Sequence, residues 1–131
     1  MKTSYNTNQN PRVIIIQKLY GKFLNDDAEL TFPKHRFKKF IKDISLGVIE
    51  RKDLIDETIL EHLGGDINIK RTEKLLIIIL QAGIYELLYR PQTSINIIIN
   101  EYVGTAKIFV DDSQKKFLNA LLDKISKKIR S

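Results

Sequence analysis

Cysteine is absent from this 131-residue chain, which excludes disulfide bonds and thiolate metal sites and fits a reducing compartment. Histidine occurs only at His35 and His62, and neither has metal-ligand spacing around it. No phosphate-binding glycine loop, dinucleotide fingerprint or nucleophile elbow occurs. Because scarce histidines also leave little for base-assisted catalysis, the sequence predicts a non-enzymatic protein without catalytic residues, metal or cofactor.

Long uninterrupted apolar runs are also missing. The longest apolar stretch, residues 75–89, is interrupted by Gln81 and Glu86, and it is shorter than the ~20 residues that a bilayer crossing needs. The first twelve residues contain no apolar segment of the kind found in signal peptides. We therefore expect a cytoplasmic protein with no membrane partner.

Positive charge is in excess, and it is unevenly distributed. The formal net charge is +6. Residues 34–49 carry five Lys/Arg against one Asp, residues 115–131 carry six against one Asp, and residues 50–66 are acidic. Two basic segments on one small domain indicate a polyanionic partner. Solvated helix faces decorated with lysines would give the same pattern.

Apolar residues recur at helical spacing along most of the chain. Residues 1–9 lack this periodicity and are predicted to form a flexible arm, followed by a single helical domain over residues 10–131. The predicted helices begin at Asn10-Pro11, near Lys34, near Asp53, near Thr72, after Ser94 and near Asp112-Ser113. Glycines 64 and 65 are expected to end the third helix.

The run of residues 95–99 resembles a strand when it is read alone. Its longer pattern, with apolar residues at 95, 98, 99, 102, 103 and 106, is that of a helix. Residues 75–80 are apolar on all sides, which is typical of a central, covered helix. The sequence therefore predicts an all-α, compact single domain of about six or seven helices.

Several short motifs follow one another in the C-terminal half. They read QAGIYELL at residues 81–88, RP at 90–91, INEYV at 99–103, AK with Phe109 at 106–109, and FLNALLDK at 117–124. QKLY at residues 17–20 precedes them. In order and spacing these segments resemble the NusB family in its α-proteobacterial style, whereas residues 25–70 match only in apolar pattern.

The resemblance implies a fold of two packed helical bundles. It also implies a transcription antitermination factor that binds boxA RNA together with NusE, a small-subunit ribosomal protein. In the family this complex joins RNA polymerase, suppresses termination on ribosomal RNA operons and assists ribosomal RNA processing. Some members self-associate, so a homodimer is a further expectation.

The chain departs from the family pattern at its first helix. Family members usually begin this helix with an arginine-rich run, whereas residues 8–12 read NQNPR here. Only Arg12 remains, with Lys2 in the predicted arm. We therefore expect fewer phosphate contacts at the N-terminus and weaker or more partner-dependent RNA binding.

The resemblance implies RNA contacts at Arg12, Tyr20, Lys115, Lys116 and Phe117. An aromatic ring flanked by lysines can stack on a base while the cations hold phosphates, and the backbone N–H groups around Arg12 also favour anions. The alternatives are that Phe117 begins the core stripe of the last helix, that Tyr20 packs in the core, and that Arg12 is an ordinary solvated arginine.

The expected contacts with NusE are Leu24, Glu86, Glu101 and Phe109. The two apolar side chains would offer a patch and the two carboxylates would face the partner. The alternatives are core packing for the apolar pair and solvation for the carboxylates.

Two other functions are compatible with the same helical pattern. One is the RNA-positioning module of a ribosomal RNA methyltransferase system, although no cofactor-binding segment follows within these residues. The other is a helical protein-interaction module in which the lysines serve only solubility.

Overall fold

The computed structural model describes residues 10–63 and 73–130. These residues form helices, and the described connections between them range from one residue to the 13 residues of segment 25–37. In chain order the helices are α1 (Pro11–Leu24), α2 (Lys38–Glu50), α3 (Lys52–His62), α4 (Lys74–Tyr89), α5 (Ile95–Phe109) and α6 (Asp112–Ile129). The arm predicted for residues 1–9 and the helix end predicted at Gly64-Gly65 lie outside the described residues.

Side-chain caps fix the starts of α1, α5 and α6. The Asn10 side chain accepts hydrogen bonds from the backbone N–H groups of Arg12 and Val13, and Pro11 occupies the first helical position. Ser94 caps α5 in the same way. These two predicted caps are confirmed. At α6 the cap is Asp111, which forms a reciprocal capping box with Gln114.

The start predicted for α2 was wrong by a few residues, whereas the start predicted near Asp53 is confirmed and only the predicted cap there is wrong. Helix α2 begins at Lys38 rather than near Lys34, because the backbone N–H of Phe37 donates to Nδ1 of His35 at 2.9 Å. This local side-chain bond holds a turn where the helix was expected. Helix α3 begins at Lys52, so Asp53 lies inside its first turn and is not the cap.

The six helices form two groups that pack through α4. Helices α1, α2 and α3 pack in sequence, helices α4, α5 and α6 all contact one another, and α4 touches every other described helix. In the predicted apolar run 75–80, Leu76 and residues 78–80 are buried and Leu75 and Ile77 are partly buried, as expected of a covered helix; burial continues through residues 81–84. The all-α fold and its two packed bundles are thus confirmed. None of the described helices combines the length and apolar character needed to cross a membrane.

Candidate functional site

The start of α6 holds the predicted lysine–phenylalanine cluster. Lys115 and Lys116 both reach back to the Asp112 carboxylate, with N–O distances of 3.1 and 3.3 Å. Hydrogen bonds from these two lysines lower the pKa of Asp112 below its usual 3.8. The carboxylate therefore stays ionised at neutral pH and tethers both ammonium groups to the first turns of α6.

Exposure differs strongly among the three clustered residues. The Lys116 side chain is 76% exposed and that of Lys115 is 25% exposed. Phe117 is half-buried and packs against the hydrophobic core. The ring thus continues the core stripe of α6 while keeping part of its surface accessible, next to a highly exposed cation.

Arg12 lies in an ion-pair network inside the protein. Its guanidinium donates to both carboxylate oxygens of Glu86, at 2.9 Å from Nε and 2.8 Å from Nη2. The Glu86 side chain is fully buried and that of Arg12 is only 12% exposed. The Tyr102 hydroxyl donates a short hydrogen bond to the same carboxylate, and Glu101 lies 3.7 Å from Arg12 Nη1.

Aromatic rings complete the surroundings of this guanidinium. Its central carbon lies 4.9 Å from the ring centre of Phe40 and 5.5 Å from that of Tyr102, and the Arg90 guanidinium lies 5.3 Å from the Phe40 ring. The network therefore joins the start of α1 to α2, α4 and α5. A planar, bidentate cation among aromatic faces suits arginine better than lysine.

Burial and neighbouring charges shift the pKa values of two groups in this network, Arg12 and Tyr102. Burial lowers the pKa of Arg12, but the hydrogen bonds to Glu86 and the nearby negative charges outweigh that effect and raise the pKa overall. Burial, reinforced by the Glu86 charge, raises the pKa of Tyr102 well above its usual 10.0, and Arg12 opposes this shift only in part. Arg12 therefore remains a cation and Tyr102 remains a hydrogen-bond donor at neutral pH.

The other predicted contact residues occupy three kinds of position. Tyr20 and Phe109 are half-buried and pack against the core. Leu24, at the end of α1, is 60% exposed. The Glu101 side chain is 39% exposed, whereas Glu86 lies beneath the surface. No partner or RNA is present, so the RNA and NusE contacts of all these residues stay predictions.

The structure brings some of these residues together and keeps others apart. Arg12, Glu86 and Glu101 form one cluster, and Lys115, Lys116 and Phe117 form another. Within the described residues α1 and α6 do not pack against each other, and α4 and α5 contact both. The Arg12 network thus joins α1 to α4 and α5. The cluster of Lys115, Lys116 and Phe117 lies on α6 and is not part of that network.

One structurally important residue was missed at the sequence level. The Arg130 guanidinium donates four hydrogen bonds to the backbone carbonyls of Glu86, Leu87, Arg90 and Thr93, at distances from 2.6 to 3.1 Å. It closes the C-terminal end of α4, where helix carbonyls lack partners. In sequence Arg130 looked like another surface cation of the basic C-terminus.

Among the residues that the structure describes, no group of three or more His, Asp or Glu side chains is placed to hold a metal ion. The α6 cluster presents two ammonium groups and an aromatic ring at a helix start.

Comparisons with known proteins agree with this fold. A family model described as "NusB family" matches residues 4–127. The chain is 36% identical over 92 residues to "Transcription antitermination protein NusB" of Mesorhizobium japonicum, which covers 70% of this chain and 59% of that protein. The protein of the same name from Sphingopyxis alaskensis is 38% identical over 91 residues, covering 70% of this chain and 61% of its own length.

The chain thus aligns with less than two thirds of these relatives' length. The Caulobacter vibrioides protein of that name aligns over 91% of both chains, at 29% identity. A solved structure, "T. maritima NusB, P3121, Form 2", superposes with a TM-score of 0.82 at 24% identity, covering 100% of this chain and 96% of that one; this likeness shows the fold. From the family match and these relatives together, the chain belongs to the NusB family.

Proposed function

We propose that this protein is a transcription antitermination factor that binds boxA RNA together with NusE and joins the RNA polymerase complex on ribosomal RNA operons. It acts by assembly, with no bond made or broken, in the cytoplasm. Family membership supports the antitermination role. The observation that carries the RNA contact is the lysine–phenylalanine cluster at the start of α6.

This cluster can exchange its internal partner for RNA at little cost. The pairs between Asp112 and the two lysines are partly or largely exposed, and exposed pairs of this kind contribute little to stability because water screens them. A phosphate can therefore replace the Asp112 carboxylate beside Lys116. The accessible part of the Phe117 ring then offers a stacking surface to an unpaired base, a contact that contributes about 1–3 kcal/mol in other proteins.

The proposed NusE contact uses a different part of the surface. Leu24 is an exposed leucine at the end of α1, and Glu101 is partly exposed beside the Arg12 network. Phe109 is half-buried against the core, and its accessible surface adds an apolar part to this contact. Glu86 contributes indirectly, because its buried carboxylate fixes Arg12 and with it the start of α1.

An electrophoretic titration with boxA RNA and a scrambled RNA, each with and without NusE, tests this function. We expect boxA to bind more tightly than the scrambled RNA, NusE to tighten boxA binding, and affinity to fall steeply with salt because phosphate contacts release counterions. Equal affinity for both RNAs under all conditions would refute it. Absence of RNA binding under all conditions would point instead to a module that binds only proteins, and unchanged RNA retention after joint substitution of Lys115, Lys116 and Phe117 would place the RNA contact elsewhere.

The helix itself supplies a matched control for charge. Lys116 pairs with Asp112 at 3.3 Å and is 76% exposed; Lys127 pairs with Asp123 at 3.1 Å and is 75% exposed. Lys116→Glu should weaken boxA binding about tenfold or more, as loss of a charge-assisted contact does. Lys127→Glu should weaken it much less. Equal losses would mean that only net charge matters.

A further inference from the structure

A cavity of about 920 Å³ lies away from both clusters described above, between the ends of α1 and α2 and the starts of α3 and α4. Its size falls within the range of small-molecule sites, about 300–1,000 Å³. One wall is apolar, with the Phe23 ring and the side chains of Ile49, Ile77 and Ile78. The other wall is polar and contains three lysines.

The lining of this cavity contains a buried polar atom that has no hydrogen-bond partner among the described residues. Gln81 is 2% exposed, and its Nε2 donates to Oδ1 of Asp56 at 2.7 Å. This bond fixes the orientation of the amide, because the reverse orientation would set two acceptor oxygens against each other. The Gln81 Oε1 accepts no hydrogen bond from any described residue. A buried acceptor of this kind is costly unless a donor reaches it.

The lysines leave several N–H donors available. Lys22 Nζ donates to the carbonyls of Asp26 and Ala28, which uses two of its three donors. Lys52 Nζ pairs with Oδ2 of Asp56 at 2.7 Å, using one. Lys74 is exposed at the first position of α4, and the described residues include no ion-pair partner for it. The cavity therefore has an excess of cationic donors.

The Asp56 carboxylate does not oppose an anion here. Gln81 occupies one of its oxygens and Lys52 the other. Lys52 compensates the charge of Asp56. Asp26 also lines the cavity, so its three lysines face two carboxylates and leave one net positive charge, which can attract a negatively charged group near Lys74. A ligand that fits must bring an apolar body for the Phe23 wall, a hydrogen-bond donor for Gln81 and an anionic group for the lysines.

From these three requirements we propose that the cavity binds a nucleoside monophosphate unit, either as a free nucleotide or as an unpaired residue of an RNA. The base packs against Phe23 and donates an N–H group of its edge to Gln81 Oε1, and the phosphate lies near Lys74. A fatty acid would leave Gln81 without a donor, and a sugar phosphate would leave the apolar wall uncovered. The proposal is independent of the boxA contact at α6.

The test is a titration of the ¹⁵N-labelled full chain with AMP, followed by nuclear magnetic resonance. We expect saturable shifts of the Gln81 side-chain amide and of the Lys74 backbone amide. Adenosine and ribose 5-phosphate, which each lack one part of the ligand, should bind at least about fivefold more weakly, as expected when one charged or stacking contact is lost. Absence of a saturable Gln81 shift with AMP would overturn the proposal.

Two variants separate the site from general charge effects. Lys74→Glu changes an exposed side chain, so the fold should be retained, and AMP affinity should fall about fivefold or more. The control is Lys42→Glu, which changes an exposed lysine of α2 outside the cavity, and it should leave AMP affinity unchanged. Equal losses in both variants would contradict a built site.

A single-stranded RNA that lacks boxA distinguishes the two sources of the ligand. If it shifts the same Gln81 resonance and competes with AMP, the site takes a nucleotide of bound RNA. If it does neither while AMP binds, the site takes free mononucleotides. Either result leaves the α6 contact untouched, so failure of this site and failure of the proposed antitermination function are distinguishable.

Discussion

Replacing Glu86 by glutamine is the sharpest test of the buried network. Glu86→Gln keeps the size of the side chain and an acceptor oxygen for Tyr102, but it removes the negative charge. Arg12 would then hold an uncompensated positive charge, with its side chain only 12% exposed. Removing one partner of a buried ion pair typically costs about 3–5 kcal/mol.

The geometry places the expected loss near the lower end of that range, about 3 kcal/mol. Glu101 stays 3.7 Å from Arg12 Nη1, and the Phe40 ring remains 4.9 Å from the guanidinium. Both interactions partly compensate the remaining cation. Domains of this size have total stabilities of about 5–15 kcal/mol, so the variant should fold, with markedly less stability.

Urea unfolding at neutral pH measures this loss. The midpoint should fall by about 1 M or more, given slopes of about 1–3 kcal/mol per M. The matched control is Asp43→Asn, which removes a pair of similar separation, 2.7 Å against 2.8 Å, but with an 88% exposed lysine, Lys39. It should cost no more than about 1 kcal/mol. Equal losses in the two variants would refute the reasoning that burial sets the cost.

Replacing the whole network checks the cause of that cost. The triple variant Arg12→Met, Glu86→Leu and Tyr102→Phe removes both buried charges and the hydroxyl together, so none of these three groups is left without its partner. It should lose less stability than Glu86→Gln alone, because apolar substitutes of similar size often match buried ion pairs. A loss as large as the sum of the three single substitutions would show that the network stabilises the fold by itself.

Three further predictions concern single positions. Arg130→Ala should lower the free energy of unfolding by about 2 kcal/mol in urea titrations, because its four bonds to backbone carbonyls are lost. Gly47→Ala should cost about 1–3 kcal/mol by overpacking, since its Cβ would lie 2.2 Å from Tyr85. Gly21→Ala, whose Cβ would meet nothing within 4 Å, should instead stabilise the protein by up to about 1 kcal/mol in the same urea titrations. Burial raises the pKa of Tyr102 above 10.0, so the stability that its protonated hydroxyl contributes is present below pH 10 and is lost as the pH rises through the raised pKa. Tyr102→Phe should therefore flatten the alkaline fall of the urea midpoint.

Contrary results would be informative in each case. An Arg130→Lys variant as stable as the parent would show that charge, not the planar fork of hydrogen bonds, closes α4. Equal effects at the two glycines would mean that the Tyr85 ring moves aside at no cost. An alkaline fall that persists unchanged without Tyr102 would assign it to other groups.

The fold was largely predictable because local patterns determine it. Apolar residues at helical spacing predicted the helices, and the caps Asn10 and Ser94 fixed two of their starts to the residue. The start of α2 was not predictable in this way. The His35 side chain competes with the backbone for the N–H of Phe37, and such a turn leaves no mark in the apolar periodicity.

The buried contacts of Arg12, Glu86 and Arg130 were less predictable, because they join distant parts of the chain. Arg12 and Glu86 are separated by 74 residues, and Arg130 and Glu86 by 44. Sequence reasoning treated Arg12 as a solvated or RNA-binding cation and Glu86 as a surface carboxylate. Neither interpretation could include the burial of these two side chains, because that burial arises only when α1 packs against α4 and α5.

The buried network also explains which part of the basic N-terminal run this chain retains. The resemblance to the NusB family led us to expect an arginine-rich start of α1, and residues 8–12 keep only Arg12. That arginine is the one whose charge Glu86 requires inside the fold. Its pairing with the buried Glu86 carboxylate accounts for an arginine at this position without a phosphate contact. We infer that cationic RNA contacts from the described residues come mainly from exposed lysines such as Lys116, so the salt dependence of boxA binding should report on α6 rather than on α1.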